Sequence, residues 1–188
     1  MKIFRFFFTS KQYQFLLLFV SSLLMINSCS KETKFLVAFS QCNSAEPYRA
    51  AQNKLMSKLF SNYKDIKLVI SDAQQDNSKQ IAQIETFIRQ KPDLLIVAPN
   101  ERAPLTNIMG EAIKAGIPTI CLERDILEPN YTTYIRCDNF KIGQAAGEFI
   151  VNHLTKKYGE PKGKIVEIRG LLGVEGEINR YNGAHQFF

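Results

Sequence analysis

An α/β fold built on a parallel sheet covered by helices is what this sequence predicts, and three observations predict it. Several short runs are apolar throughout, with Val and Ile prominent, as strands buried on both faces require. Between them the apolar residues recur at a period near 3.6, which draws one stripe along a helix. The two kinds of segment alternate along the chain, and that βαβ rhythm accounts for their recurrence without any internal duplication.

Taken in order, strands are expected at Phe35 to Phe39, Ile66 to Ile70, Leu94 to Ala98, Ile117 to Leu122 and Ile165 to Ile168. The first helix is drawn by the stripe Tyr48, Ala51, Leu55 and Leu59, the second by Ile81, Ile84 and Ile88, and the third by Leu105, Ile108, Ala112 and Ile113. A fourth is expected from Asn139 to about Lys157, with Ile142, Ala146, Phe149, Ile150 and Leu154 turned inward. Ser78 can cap the second helix, Pro104 sits where a first-turn proline costs no hydrogen bond, and Gly116 can take the left-handed conformation that ends the third. Glu160 to Gly163 is a short polar turn.

Residues 1–28 carry Lys2, Arg5 and Lys11 but no acidic residue, and an apolar block follows from Phe15 to Ile26: the order of a secretory signal. The block is about a dozen residues long, short of the roughly 20 that span a bilayer. It ends in Met25-Ile26-Asn27-Ser28-Cys29, which resembles the lipobox of bacterial lipoproteins, so Cys29 is the expected lipidated N-terminus. Plain cleavage and an uncleaved anchor are the alternatives. Half of the formal net charge of +6 leaves with this leader, and the rest is dispersed rather than gathered on a face, which excludes a nucleic-acid footprint. Cys42, Cys121 and Cys137 are odd in number for an oxidising compartment, which argues against a disulfide framework and for buried thiols.

Ligands of open parallel sheets bind outside the carboxyl ends of the strands. The residues there are Ser40-Gln41, Ser71-Asp72-Ala73-Gln74, Pro99-Asn100, Glu123-Arg124 and Arg169-Gly170. Hydroxyl, amide, carboxylate and guanidinium groups together can donate to and accept from several hydroxyls at once, which is what a sugar demands.

Several stretches, in order and spacing, resemble the periplasmic sugar-binding proteins of the ribose- and galactofuranose-binding type. They are Val37-Ala38-Phe39-Ser40-Gln41 with Tyr48-Arg49; Ser71-Asp72-Ala73-Gln74-Gln75; Leu94 to Pro99; Gly116-Ile117-Pro118; Leu122-Glu123-Arg124; Cys137-Asp138-Asn139; and Val166 to Gly170 followed by Arg180. The resemblance covers nearly all of Lys34 to Phe188. It implies a type I periplasmic-binding-protein fold of two doubly wound lobes with the sugar held between them. The first lobe would run over residues 34–136 and be complete or nearly so; the second would begin at residues 137–188 and be truncated. The ligand-binding set so implied is Ser40, Gln41, Tyr48, Arg49, Asp72, Glu123, Arg124, Asp138 and Arg180. Tyr48 departs from the family's usual tryptophan and Glu123 from its usual aspartate, which opens a different hydroxyl pattern or ring size. Physical chemistry supports the roles on its own account: an Arg fork holds two oxygens at once, and a tyrosine ring can cover the C–H face of a sugar.

His153 and His185 stand apart from any nucleophile at a strand end, and two isolated histidines are a poor basis for zinc, so neither an enzyme nor a metal site is expected. Gly170 to Gly176 has neither the dinucleotide nor the Walker spacing. No cofactor is expected. The expected function is extracytoplasmic capture of a small sugar, a furanose among the candidates, for the permease of an ABC transporter. The alternative is the sugar-sensing outer domain of a membrane-bound hybrid histidine kinase, since Ser40-Gln41-Cys42 with a nearby arginine resembles those sensors too. At Phe187-Phe188 an amphipathic helix is expected to be in mid-course, leaving both rings without a packing partner.

Overall fold

The computed structural model describes residues 34–188. The leader and Cys29 lie outside the described residues. Val37, Ala38 and Phe39 are buried in β1 (Phe35–Gln41), an interior strand of a five-stranded sheet in the order β2-β1-β3-β4-β5, paired in parallel throughout. The remaining strands are β2 (Ile66–Asp72), β3 (Leu94–Ala98), β4 (Thr119–Leu122) and β5 (Thr133–Ile135). Helices α1 (Pro47–Phe60), α2 (Asn77–Gln90) and α3 (Arg102–Lys114) connect the first four strands, and α4 (Asn139–Tyr158) and α5 (Glu175–Ala184) follow the last.

Two apolar layers cover the two faces of the sheet. On one, Ala38, Leu95, Val97 and Cys121 pack with Ile84 and Phe87 of α2 and Leu105, Ile108 and Met109 of α3. On the other, Val37, Phe39, Ile96 and Ala98 meet Met56 and Phe60 of α1.

Departures from the sequence expectation have physical causes. The stripe Tyr48, Leu55 and Leu59 of α1 is exposed, and the inward side carries Arg49, Met56 and Phe60, because Arg49 is drawn into a buried polar network described below. Only partial burial is found along β2, since it is an edge strand. Strand pairing begins at Thr119 rather than Ile117, after Pro118, which has no N–H to donate but accepts from Leu95 N at 2.9 Å. The short β5 was not expected, for Thr133-Tyr134-Ile135 is no apolar run; its signal was β-propensity alone.

The expected strand at Ile165 to Ile168 is not one: Val166 is 91% and Ile168 95% exposed, and the segment pairs with no described strand. With no neighbouring strand to pair with, its exposed backbone is left to hydrogen-bond with water instead of a ladder. In α4, Ile142, Ala146 and Phe149 are exposed rather than inward. The face turned to α5 carries Gly143 and Gly147 instead, and a Cβ at Gly143 would lie 2.2 Å from the Arg180 carbonyl oxygen. Such close backbone approach leaves no room for the larger side chains. The last helix ends at Ala184 with His185 as its C-cap, so it is not in mid-course at the final phenylalanines. Phe187 lies against Gly147, and Phe188 stands edge-on to His185.

Asp76, not Ser78, caps α2: its side chain accepts from Lys79 N. Asp76→Ala is therefore expected to destabilise the protein by about 1 kcal/mol, with Ser78→Ala inside ~0.5 kcal/mol, in urea denaturation. Equal losses would return the cap to Ser78.

Candidate functional site

The loops after β1 and β4, the crossing segment from β5 to α4, and α5 enclose a cleft of about 710 Å³ at the carboxyl ends of the strands. That volume is within the usual range for small-molecule sites. Tyr48, Arg49, Glu123, Arg124 and Arg180 all line it. Ser40, Gln41, Asp72 and Asp138 do not, and each has a structural task or place. Gln41 is fully buried: its amide donates to Gln52 Oε1 at 2.8 Å and Asn53 Oδ1 at 3.0 Å, while its own Oε1 accepts from Arg49 Nη1 at 2.9 Å. Asp72 accepts from Gln74 N in the turn after β2, and Asp138 caps α4 by accepting from Lys141 N. Ser40 is buried in the sheet with its hydroxyl unpartnered.

Arg49 is the hub of the first wall. Although α1 is largely exposed, this guanidinium is buried, with Nη1 2.6 Å from Glu123 Oε2 and Nε 3.6 Å from Glu46. The Glu123 contact is an ion contact rather than an aligned hydrogen bond, so Oε2 is left as a buried acceptor with no donor properly directed at it. Glu123 itself adopts φ 66°, the left-handed region, which costs a non-glycine residue roughly 1–3 kcal/mol. Its peptide is over-determined: Glu123 N donates to Ile135 O at 2.8 Å, Arg124 N to Leu122 O at 2.8 Å, and the Tyr134 hydroxyl to Glu123 O at 3.1 Å. The strain turns consecutive side chains, one acidic and one basic, to the same cleft. Tyr48 joins them: the neighbouring Glu123 carboxylate, then burial, raises its hydroxyl above the ordinary tyrosine value.

Arg124 reaches across from β4. Nη1 donates to Asn100 O at 2.9 Å and stands 3.9 Å from Cys42 Sγ. Among the described residues it has no carboxylate partner; Asp125 instead accepts from Ile126 N. Most of its five donors are thus uncommitted. The sequence reading passed over Gln80, whose buried amide donates to Ala98 O at 2.9 Å and accepts from Asn100 N at 2.9 Å, fixing the loop that carries Arg124's anchor. A lone glutamine on an otherwise apolar helix face was its only signal. On the opposite wall Arg169 pairs with Glu177 and lies over the Tyr181 ring, and Asn139 holds Arg180.

The cysteines divide. Burial pushes the Cys42 thiol up against the pull of Arg49 and Arg124, and burial takes Cys121 up to about 12. Cys137 is exposed and lines the cleft, contrary to the expectation of a buried thiol. A raised pKa keeps a thiol protonated and unreactive at neutral pH. Iodoacetamide at pH 7.5 should therefore alkylate Cys137 well before Cys42 or Cys121, as read by peptide mass mapping; early labelling of Cys121 would contradict its burial.

A family model described as a periplasmic binding protein domain matches residues 37–188. The chain is 28% identical to the ribose import binding protein of Bacillus subtilis over 159 residues, which is 85% of this chain and 50% of that protein. It is 31% identical to the galactofuranose-binding protein of Escherichia coli over 150 residues, 78% of this chain and 46% of that one. The chain thus spans about half the length of these relatives. Among solved structures, the fructose-binding periplasmic domain of a hybrid two-component system superposes with a TM-score of 0.75 at 35% identity, over 81% of this chain and 49% of that one.

Proposed function

Since the chain belongs to the family of periplasmic binding protein domains, we propose that it captures a small sugar outside the cytoplasmic membrane and delivers it to the permease of an ABC transporter. The observation that carries this reading is the convergence of Tyr48, Arg49, Glu123, Arg124 and Arg180 on one cleft. These side chains come from distant parts of the chain, and their chemistry suits a polyol. Arginine forks donate to ring and hydroxyl oxygens, Glu123 accepts from a hydroxyl, and the tyrosine ring offers a face for C–H bonds. Capture and release need no bond to be made or broken, so the proposed role is binding rather than catalysis. The relatives named above are likewise binding proteins.

Ligand contact by these five residues belongs to the proposal, as does the division into a first lobe over residues 34–136 and a second from 137. So does export by the leader, with a lipid on Cys29. Label from a fatty-acid analogue should be incorporated into the protein and lost in Cys29→Ser; label retained by that variant would remove the anchor. A second reading is favoured by one observation: the 35% identity to the sensor domain exceeds that to either transport protein. Under it the same cleft reports sugar to a histidine kinase. A reading frame that continues through a membrane span into a kinase identifies the sensor, and one that ends beside permease genes identifies the transport protein.

The chain has no tryptophan, so calorimetry is the direct assay. Titrating the product of the full reading frame with D-ribose, D-fructose, D-galactose and L-arabinose should give micromolar binding to at least one. Absence of heat with all four, in a folded protein, would overturn sugar capture.

A further inference from the structure

We propose that Asn139 and Glu175 are positioning residues that aim Arg180 into the cleft, an inference that rests on reading the cleft as the ligand site. Glu175, at the first position of α5, is a buried acidic residue. Its Oε2 accepts from Asn139 Nδ2 at 3.0 Å, and its Oε1 accepts from Arg136 Nη1 at 3.2 Å and from the side-chain amide of Asn179. Asn139, also buried, then uses Oδ1 to accept from Arg180 Nε at 2.9 Å.

The orientation of the amide follows from the chemistry of its two neighbours. A carboxylate only accepts and a guanidinium only donates, so Glu175 forces the NH2 of Asn139 toward itself and thereby presents the oxygen to Arg180. Arg180 is held by Nε alone, and neither terminal nitrogen has a partner among the described residues. The planar fork is thus held from behind with its two-pronged end unspent, which is the arrangement a bidentate grip on a ligand needs. The backbone is fixed at the same point, because α4 and α5 meet at Gly143 and the carbonyl of Arg180. Side-chain aim is the remaining freedom, and the relay removes it. Arg136 enters from the segment after β5, so the same carboxylate ties the crossing chain to the helix that carries Arg180.

Glu175→Gln is the discriminating change, since it keeps shape and removes one acceptor. With three donors facing a single oxygen, the Asn139 amide loses its reason to point its oxygen at Arg180. Nitrogen-15 NMR of the arginine Nε–H groups reads this without any sugar. In the unmodified protein the Arg180 signal, assigned by its loss in Arg180→Lys, should exchange more slowly than that of Arg89, whose Nε has no partner. In Glu175→Gln and in Asn139→Ala it should shift and exchange faster, with the backbone amide spectrum otherwise retained. An Arg180 signal that exchanges as fast as Arg89 in the unmodified protein, or that is unmoved in both variants, overturns the relay. Calorimetry with the tightest sugar of the four gives the functional arm: Glu175→Gln should weaken binding about tenfold when Arg180 is present, and less than twofold in an Arg180→Ala background. Equal losses in both backgrounds would make Glu175 a merely structural residue. If no sugar binds the unmodified protein, the capture reading fails, and the NMR arm still decides the relay by itself.

Discussion

Phe39→Ala is expected to cost about 3–5 kcal/mol of stability, a large fraction of the ~5–15 kcal/mol that holds a typical domain together. Phe39 is fully buried on β1, an interior strand, beside Ile70 of β2 and Ile96 of β3, under Met56 and Phe60 of α1. The loss adds the transfer free energy of a phenyl ring to the cost of a cavity that sheet neighbours, fixed by their ladders, cannot collapse to fill. In urea the midpoint should fall by on the order of 2 M. Leu55→Ala is the matched control. It removes an aliphatic side chain from the exposed face of α1 and should stay within ~0.5 kcal/mol. A comparable loss at both positions would mean that α1 buries its Tyr48, Leu55 and Leu59 stripe after all.

Arg124→Ala is expected to weaken sugar binding at least about tenfold, because a hydrogen bond to a charged donor contributes roughly 1.5–3 kcal/mol. The fold should tolerate the change, since Arg124 is partly exposed and its one anchor is a backbone carbonyl that water can serve in its place. Arg124→Lys should recover only part of the affinity, as an ammonium has no planar fork. Calorimetry with the tightest-binding sugar, beside a melting curve for each variant, provides the check. Unaltered affinity in a folded Arg124→Ala protein would remove Arg124 from the site.

The layered architecture was legible from the apolar runs because a strand buried on both faces has no choice about its composition. Leu94 to Ala98 therefore matched β3 end to end, while Thr133-Tyr134-Ile135, at the far edge of the sheet, escaped notice. Helix positions were legible, but not always their faces. In α1 a single buried guanidinium outweighs three exposed apolar side chains, and periodicity does not record polar partners that lie distant in sequence. The site shows the same division. Tyr48, Arg49, Glu123, Arg124 and Arg180 meet around the cleft. Gln41, at the end of its strand as well, is turned away by the amide pair Gln52 and Asn53. The strained φ of Glu123 had no sequence signal, since nothing in a glutamate announces a left-handed backbone. Glu175 stood in the glycine-bearing stretch Gly170 to Gly176, whose spacing carries no sign of its role, and its three donors reveal it.

The strand order carries a consequence for how the sheet is assembled. β2 adds to one edge of β1, β3 to its other edge, β4 to β3, and β5 to β4, so each strand joins a free edge in the sequence in which it is synthesised. Among the described residues no strand has to insert between two that are already paired. Growth is therefore vectorial, and each step closes a loop little longer than a single strand-helix unit, apart from the β1 to β3 step, which spans two. Loop-closure entropy is paid in small instalments rather than at once. A chain emerging end-first, whether from a ribosome or through a membrane pore, can lay down these five strands in order, with β1 as the template.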